Sequence, residues 1–548
     1  MHDGGVKLSV RAGLSGVAAA AAALGVAELV AVGTGPLSAP LLAVGGVVVD
    51  SVPAPVKDLG IAVFGVHDKT ALITGTAVLL AGYAWVVGVT ALRNRRLALG
   101  AIALFGLIGV AAAVTRHDAG PLAALPALVG AAVAALVLRY LLTLARAADP
   151  APARSPATAT VGALPPGSGG AALPEPDRDS GDGAQAPPED VSGDPGQSRR
   201  RFLTAVGIVA GVSAVGGVVG RLLTGRRAVT AARSAVVLPM PRSPAPVVPA
   251  DAQAPGAVSY VTSSDVFYRI DTSLYPPQVD PATWQVRIHG MVRTPITVSW
   301  EQLLARPMIE RYVTLACVSN EVGGDLIGNA LWLGTPIKAL LDEADPLPGA
   351  DQVVQRSVDG WTCGTPTAVL RDGRDALLAV GMNGGPLPVE HGFPVRMVVP
   401  GLYGYVSACK WITEIELTRF ADFDAYWVPR GWSARAPIKT QSRIDTPRDG
   451  DRRPAGEVTV AGVAWAQHTG VAKVEVQVDG GPWAPATLAG TVSSDTWRQW
   501  YHRWPATPGE HTIRARATDT TGYTQTSTPA PPAPDGATGW HAVRVRVE

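Results

Sequence analysis

Charge and cysteine are what this sequence has little of. Only 17% of its 548 residues are Asp, Glu, Lys or Arg, against roughly 25% in soluble domains. The net charge of +1 gives no electrostatic case for nucleic acid or a strongly acidic partner. Three cysteines (Cys317, Cys363, Cys409) are an odd number with no C-x-x-C, so neither a disulfide framework nor a zinc ribbon is indicated. C-x-x-C-H is missing, and no two histidines lie deep in facing apolar segments. Covalent haem is thereby excluded from this chain, and a membrane b-type haem is argued against. Length, by contrast, allows three or four domains.

The charge deficit is local to residues 1–146 and 203–223. A bilayer span needs about 20 mostly apolar residues, and 14–32, 71–92, 97–114, 122–144 and 203–223 qualify. Arg93-Asn94-Arg95-Arg96 joins two of these spans and reads as cytoplasmic. Counting from that loop leaves the N-terminus and 150–198 inside and everything after residue 223 outside. Segment 36–66 is broken by Pro53, Pro55, Lys57 and Asp58, which fits a re-entrant or surface stretch. Glu28 is the intramembrane charge, read as a carboxyl near a helix end or against a neighbour rather than an ion path. His67 and His117 fall near the outer surface and read as solvated loop residues rather than metal ligands. The spans lack paired polar residues, which speaks against transport. Residues 147–198 are rich in Pro, Gly, Ala, Ser and Asp and read as a flexible linker. Residues 199–224 read as signal and anchor helix, and 225–255 as a Pro-rich spacer.

The motif Ser198-Arg199-Arg200-Arg201-Phe202-Leu203, ahead of the last apolar run, resembles the twin-arginine export signal. That resemblance implies a folded, cofactor-loaded domain exported across the cell membrane. Positive-inside flanking of an ordinary helix explains the arginines too. On either reading the protein is multi-pass, with residues beyond 224 extracytoplasmic.

Residues 256–435 alternate short β-rich runs with helical stretches, a mixed α/β pattern. From 436 to 548 the texture is all-β. Val474, Val476 and Val478 alternate with Glu475 and Gln477 before an Asp479-Gly480-Gly481 turn, as in an immunoglobulin-like sandwich. Trp465, Trp483, Trp497, Trp500 and Trp504 read as core or interface.

Cys317 ends a β-type run and opens a polar, Gly-rich loop, a place suited to a soft-metal ligand or nucleophile. For Cys317 taken alone, the inert core thiol is the favoured reading. Its surroundings resemble the sulfite oxidase family of molybdenum enzymes. The resemblance rests on Leu-Ala-Cys-Val-Ser-Asn at 315–320, Met-Asn-Gly-Gly-Pro-Leu-Pro at 382–388, His-Gly-Phe-Pro-Val-Arg at 391–396, and Lys410-Trp411. Asp445-Thr446-Pro447-Arg448-Asp449-Gly450 and Trp540-His541 resemble the family's dimerisation domain, which implies a possible homodimer. It implies a molybdenum–molybdopterin cofactor with Cys317 as the single protein ligand to the metal. Phe267, Tyr268 and Arg269 would lie on a strand over the pterin, Arg269 also orienting an anionic substrate beside the metal. His391, Arg396 and Lys410 would hold the pterin and its phosphate, with Asp359 a further pterin contact. Tyr403 and Tyr405 are candidates for the pocket wall, and Cys363 and Cys409 for small core residues.

Departures from the family bear on substrate. Where sulfite oxidases follow the cysteine with Ala-Gly-Asn-Arg-Arg, Val318-Ser319-Asn320-Glu321-Val322 stands here, and an active-site tyrosine is replaced near Trp432. The pocket should therefore be less cationic and more aromatic than one built for sulfite. The resemblance implies oxygen-atom transfer at molybdenum, to or from a small oxo-acceptor or oxo-donor. A separate electron carrier, a quinone or cytochrome, would serve it. The rivals are a reductase of sulfoxides or other S- or N-oxides, and a non-catalytic membrane-anchored binding or assembly module.

Overall fold

The computed structural model describes residues 2–35, 38–51, 68–115, 120–147, 195–223, 226–273 and 276–548. His67, His117, residues 52–66 of the expected re-entrant stretch and most of the expected linker lie outside them. The helices are α1 (His2–Thr34), α2 (Pro40–Ser51), α3 (Asp68–Arg93), α4 (Arg95–Val114), α5 (Leu125–Ala147), α6 (Pro195–Leu223) and α7 (Arg226–Ala235). Among the described residues five stretches are long and apolar enough to cross a membrane: Leu8–Thr34, Ile73–Arg93, Arg95–Val114, Leu125–Ala147 and Arg200–Val219. The 12 residues of α2 are too few. Asn94 separates α3 from α4, its side chain accepting the Leu97 N–H at 3.1 Å as an N-cap. Helix α1 packs at backbone distance: a Cβ on Gly16 would collide with the Ala84 carbonyl, and one on Gly88 with that of Ala12. Gly25 likewise leaves no room for a Cβ beside the Ser213 carbonyl of α6.

The expected spacer is docked rather than free. Arg233 on α7 donates to the Leu387 and Pro386 carbonyls at 2.6 and 2.7 Å. Val229 enters a core shared with Phe267 and Trp332. Further on, the Arg242 N–H donates to Met308 O (2.7 Å) and the Ala254 N–H to the Gln499 side chain (2.7 Å). Prolines leave this strap few donors, and Arg242 and Ala254 spend theirs on the domains that follow.

The mixed domain is built from β1 (Gln285–Gly290), β2 (Ile296–Ser299), β3 (Ile309–Ala316), β4 (Ile327–Pro336) and β5 (Gln352–Ser357). It continues through β6 (Thr362–Pro366), β7 (Leu377–Met382), β8 (Gly385–Pro386), β9 (Arg396–Val398) and β10 (Ile412–Thr418). One sheet runs β2-β1-β10-β5-β6, with β1 and β10 parallel; the other runs β3-β4-β7-β8, with β9 on β7.

The C-terminal strands are β11 (Gln441–Thr446), β12 (Arg452–Arg453), β13 (Gly456–Trp465), β14 (Val471–Val478) and β15 (Ala484–Pro485). After them come β16 (Thr487–Leu488), β17 (Arg498–Ala506), β18 (Gly509–Asp519) and β19 (His541–Val547). They form two facing sheets, β11-β13-β17-β16 and β12-β19-β18-β14-β15. In β19 the valines Val543, Val545 and Val547 point inward and Arg544 and Arg546 outward, the period-two pattern of a half-buried strand. Trp500 and Trp504 fill the sandwich core, whereas Trp465 and Trp497 belong to the core of the mixed domain. The sandwich thus keeps a core of its own while Val463, Trp465 and Trp497 reach into that of the mixed domain. Trp483 stays half-buried on the sandwich surface, edge-on to Trp540 with the Arg516 guanidinium 4.2 Å from its ring centroid.

Candidate active site

Cys317 directly follows β3 and is 8% exposed. Its N–H donates to Leu326 O (2.9 Å), while Asn320 receives the Leu326 N–H on its side-chain oxygen (2.8 Å). The loop thus closes on itself. The sandwich domain holds it from outside: Arg443 Nη1 donates to Gly324 O at 2.9 Å. Gly323, at φ +82°, lies against the His541 ring with no room for a Cβ. Strand β3 is clamped one step earlier. Thr314 Oγ1 accepts the Trp497 N–H (2.8 Å) and Thr314 O accepts Gln467 Nε2 (3.2 Å). Burial pushes the Cys317 thiol up, partly offset by hydrogen bonds from Ser319. Such a thiol is a poor free nucleophile, and a metal that bound it would have to displace its proton.

The thiol opens on a cleft of about 800 Å³, its solvent mouth included. Phe267, Tyr268, Cys317, Asp359, His391, Arg396 and Lys410, all expected from sequence, line it together. Arg396 begins β9 and is 6% exposed. Its Nη1 donates to His391 O (3.1 Å), and its guanidinium sits 5.0 Å from the centroid of the Trp332 ring. No carboxylate among the described residues comes within 4.0 Å of it. Burial lowers its pKa to about 10, against smaller opposing effects of Tyr268 and Cys409. A buried cation in this condition is costly unless an anion arrives to pair with it.

His391 is held by Nε2–H donating to Ser264 O at 2.8 Å, which leaves Nδ1 as the acceptor of the neutral ring. Burial, with Arg396 and Lys410 nearby, lowers its pKa to about 4. Ser264 is itself anchored through Asn383, at φ +52°, whose Nδ2 donates to Thr262 O (2.9 Å) and Ser264 Oγ (3.1 Å). Lys410 Nζ donates to Asp271 Oδ2 (2.7 Å) and Glu390 O (3.2 Å), and burial lowers its pKa to about 8. Asp359 closes a tight turn by accepting the Trp361 N–H at 3.1 Å. Phe267 stacks on Tyr268 (5.2 Å, 22°) and lies edge-on to His391. Gly328 leaves space for the Phe267 ring that a Cβ would fill.

Several expectations differ. Segment 267–271 is not a strand but an irregular run, begun by a turn in which Val266 and Phe267 donate to Ser263 O. Arg269 does not reach the cleft wall; its Nε pairs with Asp271 at 2.9 Å and its side chain is 34% exposed. Tyr405 lines the cleft, its hydroxyl donating to Ser433 O (2.6 Å), but Tyr403 turns away to meet Gly536. Trp432 stands behind the wall against Tyr405 and Trp427, and Trp427 is the one that lines it. Glu321 is exposed outside the cleft, and Cys363 and Cys409 are fully buried. Sequence reading missed Asp271, Trp427 and the sandwich-side clamp. Asp271 stands only two residues from the expected Arg269, but in an irregular run no periodicity marks which way its side chain turns.

Residues 273–427 match the oxidoreductase molybdopterin binding domain and 441–515 a bacterial Ig domain. Human mitochondrial sulfite oxidase is 30% identical over 322 residues, 50% of this chain and 58% of that protein. The uncharacterized oxidoreductase YuiH of Bacillus subtilis is 32% identical over 176 residues, 32% of this chain and 83% of that protein. The chain belongs to the sulfite oxidase family of molybdopterin oxidoreductases. It spans 58% of the human protein's own length, and 75% of the Arabidopsis thaliana sulfite oxidase at 28% identity. The sulfane dehydrogenase SoxCD from Paracoccus pantotrophus superposes with a TM-score of 0.46 at 22% identity, over 54% of this chain and 85% of that one. The family-model match ends at Trp427, so it takes in all the cleft residues from Lys410 back to Cys317, while Phe267 to Asp271 precede its start.

Proposed function

We propose that this chain is a membrane-anchored, extracytoplasmic oxidoreductase whose cleft holds a molybdopterin, with Cys317 as protein ligand to the molybdenum. One observation carries this: Arg396, buried and without a carboxylate partner, is a site prepared for an anionic group, and the pterin phosphate supplies one. Arg396 and Lys410 would hold that phosphate, while neutral His391 would offer Nδ1 to a ring N–H. Asp359 would face the pterin from the opposite turn. Bound there, the cofactor supplies two-electron redox chemistry for transfer of an oxygen atom to or from a small substrate. The chain's own part is to orient, to keep Tyr268 and Tyr405 neutral by burial, and to exclude water behind Trp361, Trp411 and Trp427.

Anchoring rests on the five apolar stretches and the arginine loop at 93–96. Export of the folded domain rests on the twin-arginine-like motif. Electrons would pass to a separate carrier, a quinone or cytochrome, and the sandwich would dimerise the chain. A second reading, reduction of a sulfoxide or another S- or N-oxide, is favoured by the wall itself. Its cations are Arg396 and Lys410, Arg269 stays outside it, and its other faces are largely aromatic. A non-catalytic module would have no use for the buried cations.

The test is molybdenum and pterin content of the detergent-purified protein beside Cys317→Ser. The expected result is stoichiometric cofactor in the parent, with metal spectra altered and turnover cut at least ~100-fold in the variant. Folded, exported protein lacking both metal and pterin sinks the enzyme reading. Relative turnover of sulfite and an organic sulfoxide by the loaded protein then decides the direction.

A further inference from the structure

Asp271 lies between two cations at the edge of the cleft, 2.9 Å from Arg269 Nε and 2.7 Å from Lys410 Nζ, with its side chain 5% exposed. The groups facing Lys410 come from every element around it. Asp271 and Arg269 belong to the 267–271 run, Arg396 to β9, and His391 and Glu390 to the turn before it. Asp359 stands on the opposite turn, and Cys409 precedes Lys410 in the chain. Arg396 and Arg269 oppose the ammonium, and so does burial; Asp271 favours it.

We infer that Asp271 is a positioning residue for the cofactor's anion, acting by holding Lys410 charged and aimed along the cleft wall. The inference rests on the proposed role of Lys410 toward the pterin phosphate. Asp271 touches no anion itself; a carboxylate beside a phosphate would repel it, and pairing with Lys410 and Arg269 turns that charge to use. With Asp271 in place the Lys410 pKa is still only about 8. An opposite charge at this distance is worth about 1–3 pH units to its partner, so removing it brings deprotonation of Lys410 into the neutral range.

The experiment reads pterin retained by the full chain in detergent, by fluorescence of the oxidised, released pterin, after equilibration between pH 6 and 9. Four proteins are compared: the parent, Asp271→Asn, Lys410→Met, and Asp271→Asn combined with Lys410→Arg. The parent should hold pterin to the higher pH, because the bound anion and Asp271 both favour the charged ammonium. Asp271→Asn should hold it at pH 6 and release it at a midpoint at least about one pH unit lower. The double variant should regain retention through pH 8, because a guanidinium keeps its charge throughout. A retention curve for Asp271→Asn identical to the parent's overturns the inference. So does a loss that is the same at every pH, since a merely structural role would give that. Full retention in Lys410→Met instead overturns the phosphate role of Lys410, which separates failure of the underlying reading from failure of this one.

Discussion

Along α1 the side chains withdrawn from solvent are mostly alanines, with Ser15 and Glu28 the polar exceptions. Around the cleft the withdrawn groups include Arg396, Lys410, Asp271 and His391. The two regions answer different demands. Helices α1, α3, α4, α5 and α6 satisfy their backbones internally, so apolar composition and close approach are enough for them to pack. The cleft hides charge, which costs several kcal/mol per ion unless a partner stands by. Lys410 has such a partner in the chain; Arg396 has none among the described residues. That asymmetry gives the cleft a vacancy of charge that packing alone does not explain.

Arg396→Met breaks the comparison most sharply. Truncating a buried charged hydrogen-bond partner typically costs about 2–5 kcal/mol of binding, so pterin affinity should drop at least ~30-fold. The same change removes an uncompensated buried charge, so Tm of the cofactor-free protein should stay level or rise. Metal and pterin analysis beside thermal unfolding reads both. Lost Tm with retained pterin would make Arg396 a structural residue and the cleft an ordinary polar core.

His391 gives a smaller effect through pH. Its folded pKa of about 4 lies below its ordinary value of 6.5. Between those two values the unfolded chain binds a proton that the folded chain refuses, so stability falls as pH drops from about 6.5 towards 4. The loss approaches ~3 kcal/mol at the acid end. His541, also lowered by burial, adds a loss of the same sign. The difference between the parent and His391→Gln isolates His391: the Tm gap between pH 7 and pH 4.5 should narrow in the variant. An unchanged gap would mean that the ring is not held neutral by burial.

The regions also differ in how legible they are in sequence. The apolar stretches can be read from length and composition alone, because a helix satisfies its backbone with its own residues. Val543, Val545 and Val547 betray their strand through a period of two. Cys317, His391, Arg396 and Lys410 came from a motif resemblance, and no periodicity points to them. Their meeting depends on β3, β9 and the turns between, joined by pairings across long stretches of chain. Arg269 was misplaced for a local reason, since nothing in its own spacing reveals that Asp271 claims its guanidinium. The grip of Arg443 on the cysteine loop, and of Gln467 and Trp497 on β3 before it, is invisible in the sequence because it reaches between domains that the sequence presents as separate.

The smallest effect on the cleft should come from Gly16→Leu in α1. A side chain there meets the Ala84 carbonyl and forces α1 and α3 apart, and overpacking of this kind costs about 1–3 kcal/mol. The damage should stay among the helices. The cleft residues lie in a different core, and the strap that joins the regions is fastened by Arg233 and Val229 on the far side of α6. Pterin per chain should therefore match the parent, while the helical part unfolds at lower temperature in detergent. Should pterin fall together with helix stability, the two regions are one cooperative unit. The contrast between apolar helices and a charged cleft would then describe composition only, because the helical part would be setting the geometry at Cys317.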